Sequence, residues 1–129
     1  MNLLDENIIL SQRSQLRIWR IHFRHIGTDI GHRGMEDRAE IIPLLHRLRR
    51  PTFFTHDLGF FDPSLCHKGY AVVCLDVRAK DAAPYIRRFL RHPAFRMEKQ
   101  RLGKVILLHT KDLSYWQAGK RKQVISWPK

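Results

Sequence analysis

Cysteine is scarce in this 129-residue chain, and the two present, Cys66 and Cys74, form neither a CxxC pair nor part of a four-ligand set with histidine. A disulfide framework and a structural zinc site are therefore not expected, and a reducing compartment suits the composition. No apolar run approaches the roughly 20 residues that a membrane-spanning helix needs. Ser/Gly-rich linkers, internal repeats and low-complexity tracts are missing too, which argues for one domain over residues 1–129. Lysine is absent from the first 62 residues. Acids are few overall, and Asp5 and Glu6 interrupt the start where a secretory signal would need a basic region followed by an apolar stretch, so a cytoplasmic protein is expected.

What the chain has is positive charge, unevenly spread. Residues 1–62 carry nine arginines against eight acids, a net of +1, whereas residues 63–129 carry fifteen Lys or Arg against four acids, a net of +11. With a formal charge of +12, the surface should attract polyanions such as nucleic acid or an anionic membrane through its long-range field and through counterion release.

Apolar patterning predicts a sequence of short strands and helices. Residues 2–5 read as a short buried strand and Asn7–Leu16 as a weak helix or turn. The alternation of Trp19, Ile21 and Phe23 with Arg20, His22 and Arg24 predicts a strand ending at Gly27. A helix follows, with a D-x-x-E capping pattern from Asp37 to Glu40 and an awkward Pro43. PTFFTHD, GYAVVCLDV and KVILLHT read as buried strands, separated by an amphipathic helix over KDAAPYIRRFLRHP with Asp81 as its expected N-cap. The tail SYWQAGKRKQVISW reads as a hairpin turning at AGKRK. Continuous apolar strands alternating with helices predict an α/β fold with a mostly parallel sheet covered on both faces.

Ligands of such sheets bind beyond the carboxyl ends of the strands. Asp5 follows the first strand and Asp57 the strand TFFTH, with Asp62 five residues on, and Asp37 begins the helix between them. If the two strands are adjacent and parallel, these carboxylates converge, and mutual repulsion calls for raised pKa values or a bound cation. Hard oxygen-liganded ions, Mg²⁺ or Mn²⁺, suit such a set, and beside a basic surface they suit phosphodiester chemistry. Each acid also has a local reading: Asp37 as an N-cap, Asp57 as a turn former, Asp5 as a strand-end surface group.

LLDEN at the start, RGMEDRAEII at residues 33–42 and FFTHDLGFF at residues 53–61 resemble the signature blocks of the small PIN-like family of bacterial toxin-type proteins. The resemblance covers the first half of the chain in motifs and the second half in element order only. It implies a three-layer α/β/α PIN-like fold and a Mg²⁺- or Mn²⁺-dependent endoribonuclease, the toxin of a toxin–antitoxin pair of the VapBC type, with a small antitoxin protein as partner and homo-oligomers common. Carried over by position, Asp5, Asp37 and Asp57 match the catalytic metal carboxylates, Thr55 the supporting hydroxyl and Phe60 a packing residue, with Glu6 and Asp62 as further supporting acids. Many PIN-type proteins carry another acid where Gly59 stands; Asp62 or Glu6 substitutes for it, or one metal ion is held firmly in place of two, or activity is weakened.

Arg87, Arg88, Arg91, Lys120, Arg121 and Lys122 are the candidates for RNA backbone contacts. Tyr115, Trp116 and Trp127, near the last three, either stack on bases or cover the sheet edge. His32 and His56 flank the proposed site and are given no catalytic role. Two rival readings are a non-catalytic nucleic-acid-binding or assembly module on the same fold, and a nuclease of this type acting on DNA.

Overall fold

Asn2–Leu4, only three residues long, is the strand around which the sheet is organised. The computed structural model describes residues 1–35 and 37–129; Glu36 lies outside the described residues. This first strand, β1, pairs in parallel on one side with β2 (Arg24–His25) and on the other with β3 (Thr52–Thr55). Beyond β3 come β4 (Ala71–Leu75) and β5 (Lys104–Leu108), both parallel, then β6 (Asp112–Gln117) and β7 (Gln123–Ser126) as an antiparallel hairpin. The order is β2-β1-β3-β4-β5-β6-β7. The chain is thus mixed α/β with a seven-stranded, mostly parallel sheet, as the apolar runs predict.

Alternation along the strands divides the core in two. Leu4, Phe54, Val73, Leu75, Ile106 and Leu108 face one way, and there they meet Leu16 of α1 (Leu10–Ile18) and Ile86 and Phe89 of α3 (Ala82–Arg91). Leu3, Phe53, Val72, Cys74 and Val105 face the other way, against Ile41, Leu44 and Leu45 of α2 (Arg38–Arg47). The central strands are buried on both faces, which explains their continuous apolar runs. A short α4 (Glu98–Arg101) precedes β5.

The faces follow from connection handedness. Moving from β1 to β2 and then back across β1 to β3, two crossovers of one hand place α1 and α2 on opposite faces. The step from β4 to β5 runs in the same direction as that from β2 to β3, yet α3 lies on the α1 face, so this crossover has the opposite hand. Consequently α3 joins α1 and leaves the other face of β5–β7 without a helix.

Several local expectations need correction. The alternation at residues 17–27 is not one strand: α1 runs to Ile18, Arg20 adopts φ 59° at the helix end, and only Arg24–His25 pair with β1. Trp19, Ile21 and Phe23 are apolar because they pack against the α1–α3 core, not because they alternate across a sheet. Asp81 precedes α3 without capping it, since its carboxylate binds Arg78 at 2.9 Å. Pro43 sits inside α2, where burial of Ile41, Leu44 and Leu45 keeps the helix continuous despite the missing N–H. Among the described residues no helix is long and apolar enough to cross a membrane.

Candidate active site

The reversal of strand order falls between β1 and β3, the position where open parallel sheets bind ligands beyond their carboxyl ends. Asp5 immediately follows β1, and its N–H donates to the Phe54 carbonyl (2.9 Å), extending the pairing just far enough to fix its direction. Thr55 is the last residue of β3, and Asp57 follows two residues on. A cleft of about 360 Å³ opens there, lined among the described residues by Asp5, Glu6, Asn7 and Asp57. The adjacency inferred from the two apolar runs is therefore present.

Thr55 is the hub. Its hydroxyl donates to Asp5 Oδ2 (2.7 Å) and accepts from the Asp57 backbone N–H (3.0 Å). Asn7 Nδ2 donates to Asp5 Oδ2 (3.3 Å) and to Thr55 Oγ1 (3.2 Å), while Asn7 Oδ1 accepts from the His56 N–H (3.1 Å). Asp5 Oδ1 accepts from the Glu6 N–H (2.8 Å). Asp5 is only 4% exposed, and three donors, from Thr55, Asn7 and Glu6, fix the orientation of its carboxylate.

Burial pushes the Asp5 carboxyl above its ordinary value of 3.8. The Thr55 hydroxyl and the Glu6 N–H pull it back, and the Asp57 and Glu6 carboxylates add to the rise. Asp57 is exposed, with Oδ1 accepting from the Gly59 N–H (2.8 Å) as the cap of a tight 3₁₀ turn. Gly59, where a further acid was sought, lies in that turn, and a Cβ there would stand 3.0 Å from Asp57 Oδ1.

The other expected acids each have a local partner. Asp37 is exposed and caps α2, accepting from the Glu40 N–H (3.1 Å), and is not among the residues lining the cleft. Glu6 Oε1 accepts from the N–H groups of Gly34 (2.6 Å) and Met35 (3.1 Å), which tethers the loop before α2 to the end of β1. Asp62 pairs with Arg38 at 2.9 Å and accepts from the Ser64 N–H, which together hold its carboxyl down at about 2. Arg38 also donates to the Gly59 carbonyl, bracing the turn that carries Asp57.

Among the described residues no group of three or more His, Cys, Asp or Glu is placed to hold a metal ion. The lining nevertheless contains three carboxylates and no cationic side chain, with one carboxyl raised by burial. Such a donor set fits a largely hydrated Mg²⁺ or Mn²⁺, because Mg²⁺ keeps several waters and uses only one or two carboxylates.

Compared with known proteins, the chain matches no family model, no curated protein and no solved structure.

The basic candidates lie away from this cleft. α1 begins beside it and extends roughly 13 Å toward the opposite end of the sheet, where Arg87 stacks on Trp19 with its guanidinium carbon 3.6 Å from the ring centroid. Arg88 covers Trp127 at 4.4 Å, and Arg91 is exposed on the last turn of α3. Lys120, Arg121 and Lys122 occupy the β6–β7 turn; Gln117 pairs with Lys104 at the start of β5, so this turn lies toward the amino ends of the parallel strands. Trp127 is buried and donates to the His109 carbonyl (2.8 Å), which makes it part of the core.

Sequence reasoning missed Asn7, Arg38 and the Arg13–His25 pair. Asn7 stands inside the quoted block LLDEN yet was passed over because an amide is not a charge. Arg13 donates to the Ile8 carbonyl (2.8 Å) and lies 3.3 Å from His25 Nε2 beside β1, a contact linking positions on α1 and β2 that only the fold brings together. His56, half-buried, has Nδ1 3.3 Å from the Leu75 carbonyl and a buried Nε2 without a partner, and burial lowers its pKa.

Proposed function

We propose that this chain is a PIN-like, Mg²⁺- or Mn²⁺-dependent endoribonuclease, the toxin half of a toxin–antitoxin pair acting in the cytoplasm with a small antitoxin protein as partner. The observation that carries the reading is the convergence of Asp5 and Asp57 at the strand-order reversal, joined through the Thr55 hydroxyl. Placement of α1 and α3 on one sheet face and α2 on the other supports a three-layer PIN-like arrangement.

In this reading Asp5 and Asp57 hold the ion. When bound, it supplies Lewis-acid activation of water and charge stabilisation at a phosphodiester. Thr55 and Asn7 keep the Asp5 carboxylate in one orientation. Glu6 holds the loop before α2 against the cleft, and Arg38 fixes the turn bearing Asp57. Asp37 serves by starting α2 at that same loop.

The test is cleavage of single-stranded RNA in Mg²⁺, with and without chelator. Cleavage is expected to require the ion and to vanish in Asp57→Asn, whose amide oxygen can still accept from the Gly59 N–H and cap the turn. Retained cleavage in that variant overturns the assignment, and comparison with single-stranded DNA identifies the substrate.

A second reading, a non-catalytic nucleic-acid-binding module, is favoured by one observation: the basic turn 120–122 lies toward the opposite end of the sheet from the cleft. It requires salt-sensitive RNA binding that is indifferent to metal and unchanged by Asp5→Asn.

A further inference from the structure

The sheet ends on one side at β7, whose outer edge is unpaired among the described residues. Such an edge offers a row of backbone N–H and C=O groups to any extended chain. Gln123, Val124 and Ser126 are exposed, and Val124 remains 60% accessible although it belongs to a strand. Its side chain points to the face that α3 leaves uncovered, in register with Ser114 and next to the row of Leu107 and Trp116. Phe61, Leu65 and Cys66 pack along the β5–β6 part of this face, the Phe61 ring 6.2 Å from that of Trp116, and leave Val124 exposed.

The same edge is strongly charged. Lys120, Arg121 and Lys122 lead directly into β7, all exposed, and none takes part in an ion pair among the described residues. Lys122 immediately precedes Gln123, the residue that pairs with Tyr115 at the start of β7. A second copy of the chain pairing edge to edge would bring these cations into a molecule that already carries +12. An acidic partner neutralises them instead.

We propose that the β7 edge takes up an extended, acidic segment of a partner protein as an eighth strand. Backbone pairing with Gln123–Ser126 supplies the attachment, apolar side chains of the segment rest beside Val124 over the uncovered face, and its carboxylates meet Lys120–Lys122. The edge lies five strand spacings from β1, about 24 Å, so the occupant leaves the acidic cleft open, and the inference is independent of the nuclease reading.

The probe is a short fluorescein-labelled peptide of alternating valine and glutamate, followed by anisotropy, with amide hydrogen exchange on the intact chain. Salt-sensitive binding is expected, with slowed exchange at residues 123–126. Lys120→Ala combined with Lys122→Ala, both exposed, should weaken binding about tenfold. The same peptide N-methylated at every residue, which has lost all of its backbone N–H donors but none of its charge, should lose at least about tenfold. Equal binding of the N-methylated peptide overturns the proposal. So does a dimer that protects residues 123–126 without peptide, or protection of those residues by oligouridine and not by the peptide.

Discussion

Thr55 donates its hydroxyl hydrogen to Asp5 across 2.7 Å while the same oxygen receives the Asp57 backbone N–H at 3.0 Å, so one buried side chain ties the Asp5 carboxylate to the backbone of Asp57. Thr55→Val preserves the shape of the side chain and removes both bonds, together with the one the hydroxyl accepts from Asn7 Nδ2. The Asp57 N–H loses its acceptor and Asp5 its shortest donor. Urea unfolding should show a loss of about 1–3 kcal/mol, the usual cost of leaving a buried polar group unsatisfied. Thr55→Ser, which keeps the oxygen, should recover most of it. Equal stability of the Val and Ser variants would show that the hydroxyl carries no such role.

Asp5 and pH are linked with a definite sign. Its folded-state carboxyl is raised above 3.8 by burial, so the folded chain binds that proton more tightly than the unfolded one. The contribution of Asp5 to stability is therefore fully present below the unfolded value and declines as pH rises through the folded one. Asp5→Asn should remove this decline, and its advantage in thermal midpoint over the native chain should grow as pH rises from about 4 toward neutrality. A constant difference across that range would contradict the assignment.

Asp62 works in the opposite sense. The Ser64 N–H and Arg38 hold its carboxyl at about 2 against an ordinary 3.8, so its contribution is present above the unfolded value and lost as pH falls toward 2. Arg38→Ala removes one of the two causes. A carboxyl-resolved NMR titration should show Asp62 moving up toward its ordinary value in that variant, with Asp57 becoming more mobile as the Gly59 turn loses its brace.

How much of this was legible in the sequence depends on whether a feature is set locally. PTFFT, AVVCL and KVILL were readable because strands buried on both faces must be apolar throughout, and the hairpin because AGKRK cannot continue a strand. Asp5 and Asp57 were legible as a pair because they follow two such runs. Trp19, Ile21 and Phe23 misled because an extended segment lying along α1 and α3 shows the same alternation as a strand while lacking a strand partner. Whether Lys120–Lys122 lie near the cleft was not readable at all: it depends on β6 reversing direction after β5, and on nothing in the residues themselves.

Asp37 is the acid for which local and functional readings separate most cleanly. Its carboxylate accepts from the Glu40 N–H at 3.1 Å and it is not among the residues lining the cleft. Asp37→Ala should cost about 1 kcal/mol through loss of the cap, whereas Asp37→Ser, which caps equally well, should restore stability to within a few tenths. Serine's hydroxyl cannot replace a carboxylate toward a hard cation, so RNA cleavage by Asp37→Ser decides between the roles. Full cleavage by that variant leaves Asp37 as the residue that starts α2 and sets the loop held by Glu6. Cleavage lost with stability intact would return it to the metal set alongside Asp5 and Asp57.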